Sequence, residues 1–251
     1  MRLEAAVSPV RTVLSVAAVL SVFWMGPVGA ASADSYTGKV LRVTEQSSYS
    51  ARIMIRTKAW ARPGSTSRVR TILQTKSAWS GGPQHLLILD SALVKGRTWV
   101  KVRLASRPNS AFAWIPANRA RIVRNPWRVT ISRSKRLVTV FRAGEPVKRF
   151  RSVVGAPETP TPKGLFAVYE KVRQVPTNGF LGPYALHLTA HSNVLDSYGG
   201  GPGRVAIHGR DGASLADPLG TARSHGCIRV KNAMIRFIAR SLPLGTPVNI
   251  R

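Results

Sequence analysis

Residues 204–230, RVAIHGRDGASLADPLGTARSHGCIRV, place a short strand pattern ahead of the only cysteine in the chain. A strand directs successive side chains to opposite faces, so Val205 and Ile207 share one face while Ala206 and His208 share the other. The alternation predicts a short strand that ends at His208.

The cysteine, Cys227, lies between a His-Gly pair and an Ile-Arg pair, whereas a buried structural cysteine usually lies in an apolar run. A thiol attacks as its thiolate, and an unperturbed pKa of about 8.5 leaves little thiolate at pH 7. A neighbouring imidazole lowers that pKa by forming a thiolate–imidazolium pair, and His208 and His225 are both candidates. Gly209 and Gly226 expose main-chain N–H groups of the kind that an oxyanion hole needs. The residues alone leave two interpretations of Cys227 open: it is a nucleophile, or it is a thiol that lies near two histidines by chance.

A Cys/His metal site is a further alternative, because His187 and His191 have an H-x-x-x-H spacing. The segment HLTAH lacks the glutamate of the H-E-x-x-H motif and is not flanked like a zinc-binding helix. We therefore predict that the protein has no metal site.

The N-terminus has the features of a secretory signal peptide. Arg2 and Arg11 precede an apolar run over residues 12–30, and Ala-Ser-Ala follows as a cleavage site of the A-x-A type. We predict a signal peptide over residues 1–33 and a secreted, cell-wall location. An uncleaved run of this length is nearly long enough to span a bilayer, so a membrane anchor is the alternative. Export makes the cysteine more informative, since a single cysteine cannot form a disulfide within its own chain.

The chain is strongly basic, with 38 Lys and Arg residues against 10 Asp and Glu residues and a net charge of +28. The basic residues are interleaved with apolar ones, which predicts that most lie on the solvent face of folded strands. Such a surface favours an anionic polymer as partner. Export and the lack of a helix-turn-helix, zinc-ligand or RNA-binding motif argue against nucleic acid and favour anionic cell-wall polymers.

Two folded units are predicted within the 251 residues. Over residues 34–123, β-branched and aromatic segments alternate with clusters of Gly, Pro and Ser, which predicts short strands joined by turns. The segments ARPGSTSRV, TWVKVRL and AFAWIPANRARI resemble bacterial SH3-like wall-associated domains, in which Trp99 and Trp114 are expected to be core residues.

The second unit, over residues 124–251, begins with a β-meander. Apolar residues at helical spacing predict a helix over residues 232–242 with Asn232 as its N-cap. The final PVNI predicts a closing strand.

The second unit also carries the motifs of a known family. Residues 205–250 resemble the core of L,D-transpeptidase catalytic domains, whose motif is a strand-terminal histidine, a loop, and then Ser/Thr-His-Gly-Cys. Here residues 209–223 separate His208 from the Ser-His-Gly-Cys motif. The similarity extends upstream through RLVTVFRAGEPVKRFRSVVGAPETPTPKGLFAV and LGPYALHL. Together the two resemblances imply a mainly β (β-rich α+β) protein: a β-sandwich-like catalytic domain preceded by a small SH3-like β-barrel.

The resemblance implies catalytic roles for several residues. Cys227 attacks a peptide carbonyl to form a thioester, and His208 accepts the thiol proton and later returns one to the leaving amine. The Gly209 carbonyl holds the His208 ring in the required tautomer. Backbone N–H groups of Cys227 and Gly226 bind the developing oxyanion.

Four further residues receive supporting roles from the same resemblance. Ser224 and His225 organise the cysteine loop. Arg229 binds an anionic substrate group, since a guanidinium can fork two hydrogen bonds onto a carboxylate. Tyr184 lines the pocket.

The substrate implied by the resemblance is the peptidoglycan stem tetrapeptide, joined to a neighbouring stem as a 3→3 cross-link without any cofactor. Two alternatives remain open. The same thioester could pass to water or to a free D-amino acid, giving carboxypeptidase or exchange activity, and no sequence code for the acceptor pocket separates these reactions. The other alternative, a non-catalytic basic wall-binding protein, is disfavoured by the intact His208 and Ser-His-Gly-Cys motif.

Overall fold

The computed structural model of the chain describes residues 40–251. The predicted signal peptide over residues 1–33 and the beginning of the predicted SH3-like unit lie outside the described residues. Within residues 40–251, no helix is both long enough and apolar enough to cross a membrane.

The N-terminal part forms an antiparallel sheet of seven strands. In chain order these are β1 (Ser48–Ile53), β2 (Thr57–Trp60), β3 (Val69–Leu73), β4 (His85–Val94), β5 (Arg97–Arg103), β6 (Phe112–Pro116) and β7 (Ala120–Asn125). The spatial order is β3-β2-β6-β5-β4-β1-β7. Lys95 and Gly96 join β4 to β5 with φ values of 49° and 70°, as a tight hairpin turn requires. Trp99 is buried in this unit, as expected, whereas Trp114 is only partly buried. The resemblance of this sheet to SH3-like domains stays a prediction.

The two sheets meet in the chain at Pro126. Strand β7 continues through Asn125, which is slightly beyond the predicted boundary between residues 123 and 124, and the second sheet begins at Trp127. Proline has no N–H to donate to a ladder, so it interrupts strand pairing at this point. The division into two domains remains a prediction. The boundary between the two sheets agrees with it approximately.

The C-terminal part forms a mixed sheet of eight strands in the order β10-β9-β8-β17-β12-β13-β14-β16. The strands are β8 (Trp127–Ser132), β9 (Leu137–Arg142), β10 (Glu145–Arg151), β12 (Gly164–Arg173), β13 (Tyr184–His191), β14 (Arg204–His208), β16 (Ile228–Arg229) and β17 (Pro247–Ile250). Short strands β11 (Val154–Gly155) and β15 (Ala222–Ser224) form a separate parallel pair. The expectation of a mainly β protein is confirmed.

One α-helix is present in the described part of the chain, α1 (Asn232–Ser241). Its residues Ile235, Ile238 and Ala239 are buried against the C-terminal core. The predicted N-cap is wrong, because Lys231 occupies the cap position without a side-chain hydrogen bond. The Asn232 side chain is one residue inside the helix, and its Oδ1 accepts the Arg210 N–H at 2.9 Å instead.

The alternation predicted for strand β14 is confirmed. Val205 and Ile207 lie in the C-terminal core together with Ile228 of β16. Ala206 and His208 lie on the opposite face of the strand and line a cavity. Because Val205 and Ile207 pack into the core, the His208 side chain on the opposite face is directed to the cavity wall.

A buried carboxylate, that of Glu170, connects the two parts of the protein. Glu170 on β12 is 1% exposed, and its Oε1 accepts the backbone N–H groups of Trp79 and Ser80, each at 3.1 Å. Its Oε2 accepts a hydrogen bond from the Arg204 guanidinium at 3.1 Å. A buried charge is tolerated when paired and hydrogen-bonded in this way. The connection between β3 and β4 of the N-terminal sheet is thereby held against the C-terminal sheet.

Candidate active site

A cavity of about 530 Å³ lies at the end of strands β14 and β16 and is lined by both Cys227 and His208. The two strands are parallel, with Ile207 opposite Ile228 and His208 opposite Arg229. Because side chains alternate along each strand, Cys227 and Arg229 project to the same side as His208. The volume is in the range of small-ligand sites. The fold therefore brings together the histidine and the cysteine that the sequence motif predicted.

His208 is a buried, oriented and neutral base. The residue is only 1% exposed, and its Nδ1 is 2.6 Å from the Gly209 carbonyl oxygen. A carbonyl only accepts, so Nδ1 carries the proton and Nε2 retains its lone pair in the neutral ring. Burial lowers the pKa of His208 to about 4, with the Gly209 contact opposing that shift and the Arg229 charge adding to it. At neutral pH the ring is ready to accept a proton.

The surroundings of the Cys227 thiol oppose its ionisation. Burial raises the pKa of Cys227, although the backbone of Ala206 and the positive charge of Arg229 act in the opposite direction. Burial disfavours the charged form of both partners and therefore opposes a resting thiolate–imidazolium pair at this site. Proton transfer from the thiol to the imidazole must accompany attack on a substrate.

A side chain at position 209 would crowd its neighbours. A Cβ atom at this position would lie 2.4 Å from Oδ1 of Asn232 and 3.0 Å from Cδ of Pro183. Asn232 in turn binds the Arg210 N–H, so the end of β14 passes closely beside the beginning of α1. The close approach positions the carbonyl that contacts His208.

The cysteine loop is held by Ser224 and by a residue that the motif analysis missed. Ser224 Oγ donates to the Cys227 carbonyl at 2.6 Å and accepts the Gly226 N–H at 3.2 Å. Thr161, in the TPTP segment, donates its hydroxyl to the Gly226 carbonyl at 2.9 Å. Gly226 has a φ of 114°, which residues with a Cβ rarely adopt.

These contacts correct the expected set of oxyanion donors. The Gly226 N–H is already bonded to Ser224, and is therefore not free to bind an oxyanion in this arrangement. The Cys227 N–H has no hydrogen-bond acceptor among residues 40–251. The backbone N–H of the cysteine itself is consequently the donor that this loop leaves available.

His225 is exposed and contacts another residue that sequence reasoning missed. Its ring stacks on Tyr198 with the centroids 5.1 Å apart, and its Nδ1 is 3.3 Å from the Tyr198 hydroxyl. Tyr198 precedes a glycine-rich segment in the connection between β13 and β14, and no motif marks it. Both side chains line the cavity.

Arg229 lines the cavity but already has a partner. Its guanidinium forms an ion pair with Asp217 and lies 4.9 Å from the centroid of the Phe180 ring. The expected free fork for a substrate carboxylate is therefore not present in this arrangement. Asp217 and Arg229 are 12 positions apart in the chain. The carboxylate belongs to the loop between His208 and Cys227, and the motif specifies no charged residue there.

The expected role of Tyr184 in lining the pocket is not supported. Its side chain packs against the C-terminal core, and its neighbour Ala185 lines the cavity instead. Strand β13 alternates so that Ala185 and His187 face the cavity. Tyr184 contributes through its backbone, since its carbonyl accepts the Gly209 N–H at 3.3 Å.

The H-x-x-x-H pair does not belong to a metal-binding cluster in the part of the chain that is described, where no group of three or more His, Cys, Asp or Glu side chains is suitably placed. His187 lines the cavity, and burial lowers its pKa. Trp79, Phe180 and Arg204 also line the cavity without belonging to any recognisable sequence motif.

Comparison with known proteins identifies the class to which this site belongs. Residues 126–250 match the YkuD family, described as the L,D-transpeptidase catalytic domain. A Bacillus licheniformis protein described as an L,D-transpeptidase, YkuD, is 30% identical over 169 residues, covering 64% of this chain and 92% of the relative. The chain belongs to the L,D-transpeptidase family and is an enzyme of that class, which confirms the resemblance found in the sequence. L,D-transpeptidases act on peptidoglycan stem peptides.

Solved structures of L,D-transpeptidases are also similar to this chain. L,D-transpeptidase 3 from Mycobacterium tuberculosis has 16% identity and a TM-score of 0.43, with 67% of this chain and 91% of that chain covered. The catalytic domain of the E. faecium L,D-transpeptidase has 20% identity and a TM-score of 0.36, with 50% of this chain and 96% of that chain covered.

Proposed function

We propose that Cys227 is the nucleophile of this L,D-transpeptidase and that the enzyme forms 3→3 cross-links in peptidoglycan through a thioester. The observation that carries the proposal is a neutral His208, oriented by the Gly209 carbonyl, in the same cavity as the only cysteine. A base whose tautomer is fixed beside a thiol is the arrangement that nucleophilic catalysis requires.

The first half of the reaction forms the thioester and releases D-alanine. His208 Nε2 takes the thiol proton as Cys227 Sγ attacks the carbonyl that precedes the terminal D-alanine of a donor stem. The Cys227 N–H stabilises the oxyanion, and the imidazolium then gives its proton to the leaving amine. Since burial lowers the pKa of His208 to about 4, its protonated form is more acidic than an exposed imidazolium and readily returns the proton.

The second half reverses these proton movements. The side-chain amine of a diamino acid on a neighbouring stem attacks the thioester carbonyl, and His208 accepts a proton from that amine. Collapse of the intermediate forms the new amide bond and expels the Cys227 sulfur, which recovers the proton. The product is a 3→3 cross-link, and the chain's own residues perform every proton transfer.

The proposal is tested by incubating the folded protein with a carbapenem and measuring its intact mass. We expect one acyl adduct per chain, because the chain has one thiol and it lines the same cavity as His208. Protein whose thiol has first been alkylated is the control and should gain no adduct. Folded wild-type protein that stays unmodified would contradict an active thiol and favour a non-catalytic wall-binding role.

We further propose that residues 1–33 direct export and that the basic surface holds the mature enzyme on anionic wall polymers. The net charge of +28 supports this partner, since peptidoglycan and its associated polymers carry carboxylates and phosphates.

Binding of the mature protein to isolated cell walls should weaken steeply as salt rises. Raising the ionic strength from about 0.1 M to about 1 M shortens the screening length from about 10 Å to about 3 Å, so attraction between exposed charges is largely lost. Co-sedimentation at increasing NaCl measures the effect, with sucrose as an uncharged control solute and walls stripped of anionic polymers as a second control. Equal binding at low and high salt would show that the basic surface is incidental.

A further inference from the structure

We propose that Trp79, supplied by the N-terminal sheet, is a substrate-binding residue of the active site and contacts the acyl-donor stem peptide. This inference rests on the proposed function, because it names the residue that receives the donor of that reaction. It makes the N-terminal unit a part of the substrate site rather than only a wall anchor.

Trp79 lies in the connection between β3 and β4, yet it lines the same cavity as Cys227 and His208. Its side chain is 46% exposed, although tryptophan is usually highly buried. A large aromatic side chain left partly open at the wall of a catalytic cavity offers a binding surface to a ligand.

The backbone of the Trp79 segment is anchored independently of the indole. Glu170 Oε1 accepts the N–H groups of Trp79 and Ser80, each at 3.1 Å, and the same carboxylate pairs with Arg204. These bonds involve main-chain atoms, so they persist when the indole is replaced. A substitution at Trp79 therefore changes the side chain without removing the bonds that hold the loop to Glu170.

The indole itself is oriented by residues of the C-terminal part. The Arg204 guanidinium lies 4.8 Å from its ring centroid, at a distance where cation–π attraction acts. The His187 ring lies 6.0 Å away at an interplanar angle of 30°. A Cβ at Gly201 would lie 2.3 Å from Cη2 of Trp79, so the absence of a side chain there makes room for the ring. An aromatic surface held in one orientation loses little entropy when a ligand binds.

The donor stem is the substrate that must enter the cavity first, because its carbonyl has to reach Cys227 before an acceptor can attack the thioester. The guanidinium groups of Arg204 and Arg229 are part of the lining, whereas no carboxylate is among the lining residues in the described part of the chain. The paired carboxylates of Glu170 and Asp217 lie outside that lining. Both of these guanidinium groups are already paired, so the assignment to the donor rests on position: Trp79 lines the same cavity as the Cys227 thiol that the donor carbonyl must reach. Trp79 supplies the apolar surface for the donor's aliphatic groups beside these cations.

The test compares Trp79→Ala and Trp79→Phe with Leu93→Ala, a control on β4 of the same sheet whose side chain is 54% exposed and does not line the cavity. Thioester formation with a stem tetrapeptide gives KM and kcat, and iodoacetamide alkylation reports thiol reactivity with a reagent too small to need the indole. For Trp79→Ala we expect KM to rise about tenfold, with kcat and alkylation within about threefold of wild type. Trp79→Phe should recover part of the loss, and Leu93→Ala should match wild type.

A Trp79→Ala enzyme with wild-type KM would overturn the inference. A rise in KM accompanied by a slower alkylation rate and a lower thermal midpoint would also overturn it, since the three changes together would show that Trp79 only supports the fold.

A second measurement separates this inference from the proposed function. If the wild-type enzyme formed no thioester with the tetrapeptide, the proposed function would fail, and tetrapeptide binding to the Cys227→Ala protein would still decide the role of Trp79. Binding about tenfold weaker after adding Trp79→Ala supports the inference, and unchanged or undetectable binding in the Cys227→Ala background overturns it.

Discussion

The Cys227→Ala enzyme is expected to produce no 3→3 dimers from stem peptides while keeping the wild-type fold. The substitution removes the atom that forms the thioester, and no other described side chain in the cavity is a thiol. Loss of one sulfur from a partly exposed residue removes little packing, so the thermal midpoint should change only slightly. Muropeptide analysis of reactions with purified protein measures the product.

Leu215→Ala is a suitable control for this experiment, because Leu215 lies in the chain between His208 and Cys227 but its side chain is 54% exposed. This variant should cross-link at the wild-type rate. Dimers made by purified Cys227→Ala protein would refute the assignment of the nucleophile.

The second large effect is expected from His208→Ala, which should slow acylation by a carbapenem about 10²–10⁴-fold, the usual cost of losing a general base. His225→Ala should slow it much less, by about tenfold or below. The reason is geometric: the His208 ring is buried and oriented by Gly209, whereas the His225 ring is exposed and stacks on Tyr198. Stopped-flow acylation rates for the two variants provide the comparison.

The pH dependence gives an independent check on His208. Burial lowers its pKa from 6.5 to about 4, so the free enzyme keeps a neutral base throughout pH 5–7. The wild-type acylation rate should therefore stay nearly level in this range and fall only as the pH approaches 4, where the ring becomes protonated. An acid limb near pH 6.5 would show that an exposed imidazole is the base. Near wild-type acylation by His208→Ala, together with an inactive His225→Ala, would reverse the two roles.

Short-range sequence patterns predicted most of the C-terminal part correctly. The alternation in β14 identified which residues enter the core and which face the cavity, because a strand has a period of two wherever it packs. The helix was predicted from the spacing of Met234, Phe237, Ile238 and Leu242, because a helix with 3.6 residues per turn brings residues three and four apart to one face. The N-cap was wrong, since the Asn232 side chain was drawn to the Arg210 N–H, a donor on another element.

The errors within the site share one cause. The family motif does not specify which group bonds the Gly226 N–H, which residue pairs with Arg229, or which face of the strand carries Tyr184. Ser224 occupies the Gly226 N–H, and Asp217 pairs with Arg229. A motif indicates which residue types a reaction needs, but hydrogen-bond partners are chosen by what the folded chain brings near.

By itself, the sequence determined the family, the strand that carries His208, and the loop that presents Cys227, because each depends on residues close together in the chain. Only the tertiary structure decided which side chains form the rest of the cavity. Trp79 is held at the cavity by a hydrogen bond from its N–H to the buried carboxylate of Glu170, 91 positions further along the chain, which also pairs with Arg204. The lowered pKa of His208 was decided in the same way, since it depends on how completely the surrounding segments exclude water from the ring.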